Sequence, residues 1–259
     1  MPIDPNSGVF FEVHGNGAPI MLTLPLMASH EAIFGEQGRM VFEGYLKPFA
    51  RDYAVLLLDY PSIGRSADIA PEALTADRVC ADLLSVASDA GFERFAYWGY
   101  SWSGAVGLQL ASRTDRLSAI AIGGWPPLGA PYAEILEASR RKIGKVEPGS
   151  MAVLRGADQY RQWPNYYASM IAWPEAESVR AIACPKLVYF GGDGDLVEAG
   201  VPVNIASSIR AQRRELESQG WQVVEFAGHG HAVATKTDLV VPPVKSFFDK
   251  TLLARETPA

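Results

Sequence analysis

The stretch that most constrains this chain runs from Phe95 to Ser112, FAYWGYSWSGAVGLQLAS. Phe95 to Trp98 form a short apolar, aromatic run of the kind that builds a buried strand. Ala105, Val106, Leu108, Leu110 and Ala111 follow at a spacing that suits a buried helix. Between them lies Gly99-Tyr100-Ser101-Trp102-Ser103-Gly104. A strand that turns sharply into a helix, with a serine at the apex and small residues around it, is a nucleophile elbow of the G-x-S-x-G type. The turn leaves little room beside the serine, and glycine tolerates the strained backbone. The helix start offers free N–H groups and a positive dipole end to an oxyanion. One position departs from the pattern: Ser103 stands where the last glycine belongs, and Gly104 follows it.

The rest of the chain is read from this elbow outward. Val9 to His14 alternates apolar and polar residues, Gly15-Asn16-Gly17 is a turn, and Pro19 to Leu24 reads as a second, more buried strand paired with the first. A loop follows through His30. Val41 to Ala50 is expected to be helical and Tyr53 to Leu58 a buried strand. Thr75 caps a helix whose apolar stripe is Val79, Leu83, Val86, Ala87 and Ala90, with Gly91 as its stop. Leu117 to Ile122 and Lys186 to Phe190 are further strands. Asn204 to Gln219 is a helix, Trp221 to Phe226 the last strand, and Pro242 to Leu253 a closing helix with prolines in its first turn. Strands alternating with helices imply an α/β fold with a doubly wound, mostly parallel sheet. Residues 128–181 break the alternation. They carry several helices and many aromatics, and are expected to form a helical cap inserted between two parts of one core, 1–127 and 182–259.

On such a sheet, chemistry belongs at the carboxyl ends of the strands. Ser101, the pair Asp193 and Asp195, and the pair His229 and His231 each follow a strand. A serine hydroxyl needs a base, and the base needs an orienting carboxylate. The order along the chain is serine, acid, histidine.

Composition narrows the alternatives. Hydrophobic residues make up 48% of the 259 and charged residues 20%, with a net charge of −6. That balance gives no basic surplus for nucleic acid. No apolar run reaches membrane-spanning length. The two cysteines, Cys80 and Cys184, lie far apart without metal-type spacing, and MPIDPNSGVFFE lacks the pattern of a signal peptide, so a cytoplasmic protein is expected.

Five segments together resemble an α/β-hydrolase-fold serine hydrolase. EVHGNGAPIML is similar to that family's opening hairpin and DYPSIGRS to its D-x-x-G-x-G-x-S loop, with Ser62 in place of the first glycine. WGYSWSG resembles its elbow, YFGGDGDLV its acid strand and loop, and AGHGHA its histidine loop. The resemblance implies Ser101 as nucleophile and His231 as base, with His229 a loop residue. It points to Asp195 as the acid, with Asp193 as the alternative. It implies an oxyanion hole made by the N–H groups of Trp102 and Met27, with Leu26 as another choice for the second donor. There Pro25-Leu26 replaces the family's usual His-Gly.

A pocket lined by Leu26, Trp125, Trp163 and Tyr167 would take a small to medium hydrophobic substrate. His30 follows the loop after the second strand and reads as a polar surface or capping residue, with a place on the pocket wall as the alternative. The implied activity is hydrolysis of a carboxylic ester, thioester or lactone through an acyl-enzyme on Ser101. Cofactor-free perhydrolysis, C–C bond hydrolysis and a non-catalytic ligand-binding role are the alternatives. No cofactor or metal is implied. The expected partner is a small ester-like molecule, without nucleic acid or membrane, and a homodimer is left open.

Overall fold

The computed structural model describes residues 3–23, 27–145 and 151–253. Its main sheet has seven strands: β1 (Phe11–His14), β2 (Ala18–Leu22), β3 (Tyr53–Leu58), β4 (Phe95–Tyr100), β5 (Leu117–Gly123), β6 (Lys186–Asp193) and, last, β9 (Trp221–Gly230). Their spatial order is β1-β3-β2-β4-β5-β6-β9. Only the edge strand β1 runs antiparallel to its neighbour. A two-stranded ribbon, β7 (Leu196–Glu198) and β8 (Val201–Val203), stands apart.

Alternation along the strands divides the core into two layers. In β3, Leu56 and Leu58 pack into one apolar cluster, while Val55 and Leu57 pack into the other. Successive strand side chains point to opposite faces, so a parallel sheet buried on both sides must be apolar at nearly every position. The first face is covered by α2 (Ala76–Asp89) and α3 (Trp102–Ala111), through residues such as Val79, Leu83 and Val106. The second is covered by α1 (His30–Phe49) and by the closing helix α8 (Thr237–Phe248), through Tyr45, Phe49, Val240 and Phe248. Thr75 caps α2 as expected, its hydroxyl accepting the Arg78 N–H at 3.2 Å.

Several expectations change in the structure. The first two strands do not form a hairpin, because β3 lies between them. The turn joining them passes tightly over the connection from α1 to β3. A Cβ at Gly15 would lie 2.3 Å from Ala50 O, and one at Gly17 2.2 Å from Asp52 O. This close crossing leads the chain over β3 before β2 enters the sheet. Helix α1 starts at His30 rather than Val41 and is broken at Gly35, whose φ of 60° and ψ of −144° are not helical. The closing helix begins at Thr237, with Pro242 and Pro243 inside it. The last strand extends to Gly230 because Asp193 pairs with Gly230 beyond a register shift.

Between β5 and β6 come α4 (Tyr132–Arg141), α5 (Gln162–Ala168) and α6 (Glu175–Ala181). Residues 128–181 contain no strand among the described residues. Leu136, Tyr166, Tyr167 and Val179 from this stretch join the same apolar cluster as α2 and α3, so the insertion packs on that face of the sheet. No helix among the described residues is long and apolar enough to cross a membrane.

Candidate active site

Ser101 sits between β4 and α3 with φ 55° and ψ −120°. A non-glycine residue at positive φ is strained, and such strain persists only where the surroundings enforce it. Here the Ser101 N–H donates to Gly123 O at 2.7 Å, and Ser101 O accepts the N–H groups of Gly104 and Ala105 at 2.8 and 3.1 Å. A methyl group at Gly99 would lie 2.4 Å from Ser103 O. The turn therefore closes only on glycine at that position. As the first residue of α3, Trp102 has a backbone N–H with no carbonyl one turn earlier in the helix to receive it.

His231 follows the end of β9, and its Nε2 lies 2.9 Å from Ser101 Oγ. Tyr100, the residue before the serine, donates its hydroxyl to His231 O. Its ring lies 5.4 Å from the imidazole. The end of β4 thus supplies one side chain and anchors the other. Burial pulls the His231 pKa down to about 4, while the charge of Glu198 acts in the opposite direction. The imidazole is therefore neutral at pH 7, as a general base must be. Its Nδ1 is buried and has no hydrogen-bond partner among the described residues.

Asp195 is not brought to that nitrogen. Its carboxylate is exposed and accepts the Ser207 N–H at 3.0 Å, at the start of α7 (Ala206–Ser218). Asp193 ends β6 and is exposed. The Ser-His pair is thus assembled as the sequence suggests, whereas the carboxylate expected to complete it points elsewhere. The ribbon β7–β8 that follows Asp195 has no counterpart in the sequence reading. It carries the chain away toward α4 and brings Glu198 beside Lys142, the C-terminal cap of α4.

A cavity of about 380 Å³ adjoins the elbow. Trp102 and Met27 contribute to its wall, with Tyr60 and Ile63 from the loop after β3, Ile135 from α4 and Trp163 and Tyr167 from α5. Trp163 and Tyr167 are therefore where the sequence places them. Trp125 is not on the wall. It is 2% exposed and stacks behind Tyr167 at 6.2 Å. Leu26 lies outside the described residues, as do Leu24 and Pro25, and Met27 is buried.

His30 takes the alternative place: it lines this cavity and is 7% exposed, because α1 starts there and turns its first residue inward. Sequence reasoning missed Glu198 and Lys142, which pair on the same wall. Their only signal was position: Glu198 lies three residues beyond Asp195, and Lys142 ends a basic helix.

The comparisons with known proteins agree with this architecture. The model of the alpha/beta hydrolase family matches residues 13–242. The chain belongs to the alpha/beta hydrolase family. A RutD protein of Azorhizobium caulinodans, to which carbamate hydrolysis is ascribed, is 25% identical over 181 residues, 69% of this chain and 63% of that one. A RutD protein of Yersinia enterocolitica is 29% identical over 124 residues, 46% of this chain and 42% of that one. The chain thus aligns with less than two thirds of the length of these relatives. Among solved structures, an esterase from Thermogutta terrifontis superposes with a TM-score of 0.66 at 18% identity, covering 94% of this chain and 93% of the esterase. An enol-lactonase from Burkholderia xenovorans LB400 gives 0.66 at 19% identity, covering 93% of this chain and 96% of the lactonase. At those identities the likeness is one of fold.

Proposed function

We propose that this hydrolase cleaves carboxylic esters, or the related thioesters and lactones, of small to medium hydrophobic substrates through an acyl-enzyme on Ser101. The observation that carries the reading is the 2.9 Å contact between His231 Nε2 and Ser101 Oγ at a strained elbow beside an apolar cavity. His231 takes the Ser101 proton as Oγ attacks the carbonyl carbon. The oxyanion is received by the Trp102 N–H at the start of α3 and by the Met27 N–H from the loop after β2. The proton then passes from Nε2 to the leaving group, and a water activated by His231 releases the acyl group.

The cavity volume lies in the range of small-molecule sites, and its wall is mainly aliphatic and aromatic. That lining supports a hydrophobic acyl or alcohol portion, with the helices of residues 128–181 acting as a cap over it. The RutD relatives make carbamates a second carbonyl class for the same serine, since attack on either builds the same kind of tetrahedral oxyanion.

The test is labelling with a fluorophosphonate, with the adduct located by mass spectrometry, alongside turnover of p-nitrophenyl acetate and of an aryl carbamate. Modification of Ser101 with loss of both activities is expected. Turnover that survives Ser101→Ala would overturn the reading.

A further inference from the structure

Helix α4 lays one face along the cavity beside the elbow. Ile135, Ala138, Ser139 and Lys142 all line it, and steps of three, four and seven residues make a single helical stripe. From Ile135 to Lys142 the stripe runs about 10 Å along the helix axis. Its character changes on the way. Ile135 and Ala138 are apolar, the Ser139 hydroxyl is spent on Leu136 O at 2.9 Å, and Lys142 is a cation. Lys142 pairs there with Glu198, which ends β7 and lines the same wall. These two are the charged residues of a wall that is aliphatic and aromatic apart from Ser139 and His30.

An ion pair in that place is hard to explain by stability alone. The Lys142 side chain is 16% exposed and that of Glu198 30%. Two apolar side chains would close α4 onto the ribbon about as well, because withdrawing two charges from water offsets most of their attraction. The pair also leaves hydrogen-bonding capacity unused. An ammonium has three donors and a carboxylate two acceptor oxygens. Among the described residues, Lys142 Nζ meets only Glu198 Oε2, and Glu198 Oε1 has no hydrogen-bond partner. An alkyl end pressed against the pair would strip it of water and return no bond. An uncharged group that both donates and accepts would satisfy both members, its N–H or O–H on the carboxylate and its oxygen on the ammonium. A full charge of either sign would meet one member and be repelled by the other.

We propose that Lys142 and Glu198 together form a polar subsite for the far end of the substrate, so that the preferred substrate is an apolar chain ending in an uncharged donor–acceptor group such as a carboxamide. This inference rests on the reading of Ser101 as nucleophile and adds to it the chemistry of the distal end. The stripe on α4 sets the order: the apolar part of the chain lies against Ile135 and Ala138, and its polar end meets Lys142. Lys142 belongs to the insertion and Glu198 to the ribbon after β6, so the subsite is complete only where α4 packs on that ribbon.

The experiment uses the full chain and two ester series. In one, the acyl chains of p-nitrophenyl esters end in methyl, carboxamide, carboxylate or ammonium at several lengths; in the other, the same chains form the alcohol of an acetate. Fluorophosphonate labelling of Ser101 and turnover of p-nitrophenyl acetate come first; absence of both overturns the nucleophile and the inference with it. With both present, the carboxamide should exceed the methyl, carboxylate and ammonium termini by at least about tenfold in kcat/KM at one length in one series, mainly through KM. The Lys142→Met, Glu198→Leu double variant replaces the pair by apolar side chains and should reverse the order in favour of methyl. The readout is the ratio of carboxamide to methyl ester within each enzyme, so a general loss of activity or stability cancels, and a pair that only clamped α4 would leave the ratio unchanged. The wild-type order decides by itself where the double variant does not fold. Methyl ahead at every length in both series, or a charged terminus ahead of carboxamide, overturns the inference and leaves the nucleophile standing, as does a double variant that keeps the wild-type ratio.

Discussion

The Tyr60 hydroxyl lies 2.9 Å from Ser103 Oγ and so joins the loop after β3 to the residue two positions past the nucleophile. Ser103 is the position where the elbow pattern expects glycine, and it is fully buried. Its additional hydroxyl is therefore accommodated by a partner rather than tolerated in a void. Tyr97 donates to Ser103 O at 2.7 Å from beneath, and Thr23 donates to the Tyr97 hydroxyl at 3.1 Å. The departure from the pattern and the tyrosine of DYPSIGRS belong to one hydrogen-bonded unit. Tyr60→Phe should destabilise the fold by about 1–3 kcal/mol, the usual consequence of leaving a buried polar atom unpaired. In the Tyr60→Phe, Ser103→Gly double variant the losses should be less than additive, as measured by denaturant unfolding in a double-mutant cycle.

The wall of the cavity gives a second expectation. Trp163 meets Trp102 edge to face at a ring separation of 5.0 Å, and Trp102 meets Tyr60 in the same way at 4.6 Å. Replacing Trp163 by alanine removes the member of this cluster contributed by α5. The expected result is a higher KM for short-chain esters and a preference displaced toward longer acyl chains, with a smaller change in kcat. A p-nitrophenyl ester series read as kcat/KM against chain length checks it; an unchanged preference would remove Trp163 from the substrate wall.

The features that depend on local sequence are legible in the sequence itself. The buried strands read as apolar runs because both faces of the sheet are covered, and the elbow read as a turn because only small residues fit around Ser101. Thr75 was visible as a cap for the same local reason. The pairing of β1 with β3 was hidden, because strand order depends on a close crossing at Gly15 and Gly17 that a turn motif shares with ordinary hairpins. The acid is less legible: Asp195 has the expected spacing, and in the structure its carboxylate is held by the Ser207 N–H where the chain turns into the ribbon β7–β8. Trp125, expected on the pocket wall, stacks behind Tyr167.

Ser62 offers a test of backbone strain. It occupies φ 62°, a left-handed conformation that glycine adopts more readily, in the place where the resembling loop has glycine. Its hydroxyl compensates by accepting the Ile69 N–H at 2.9 Å and donating to Ile69 O at 3.3 Å. Ser62→Ala keeps the strain and loses both bonds, whereas Ser62→Gly loses the bonds and relieves the strain. The alanine variant should therefore be the less stable of the two by about 1 kcal/mol. Equal melting temperatures would show that the strain at this residue is not felt.

Acid should weaken the fold before it titrates the base. His30 and His231 are both pulled down to about 4 by burial, from an ordinary value of 6.5. Folded, they stay neutral, while in the unfolded chain they take up protons as the pH falls below 6.5. Between these values the unfolded state binds more protons, so stability declines with falling pH, approaching about 1.4 kcal/mol per pH unit for each histidine. Above the unfolded value this contribution is complete and nearly constant. Urea midpoints should therefore fall as the pH is lowered from about 7 to 5. His30→Gln should show a shallower decline, since one of the two groups is gone. Initial rates in brief assays should meanwhile persist toward pH 4.5, because His231 remains a competent base until near pH 4. If brief-assay activity is instead lost with a midpoint near 6.5, His231 titrates as an exposed imidazole and its burial does not govern the base.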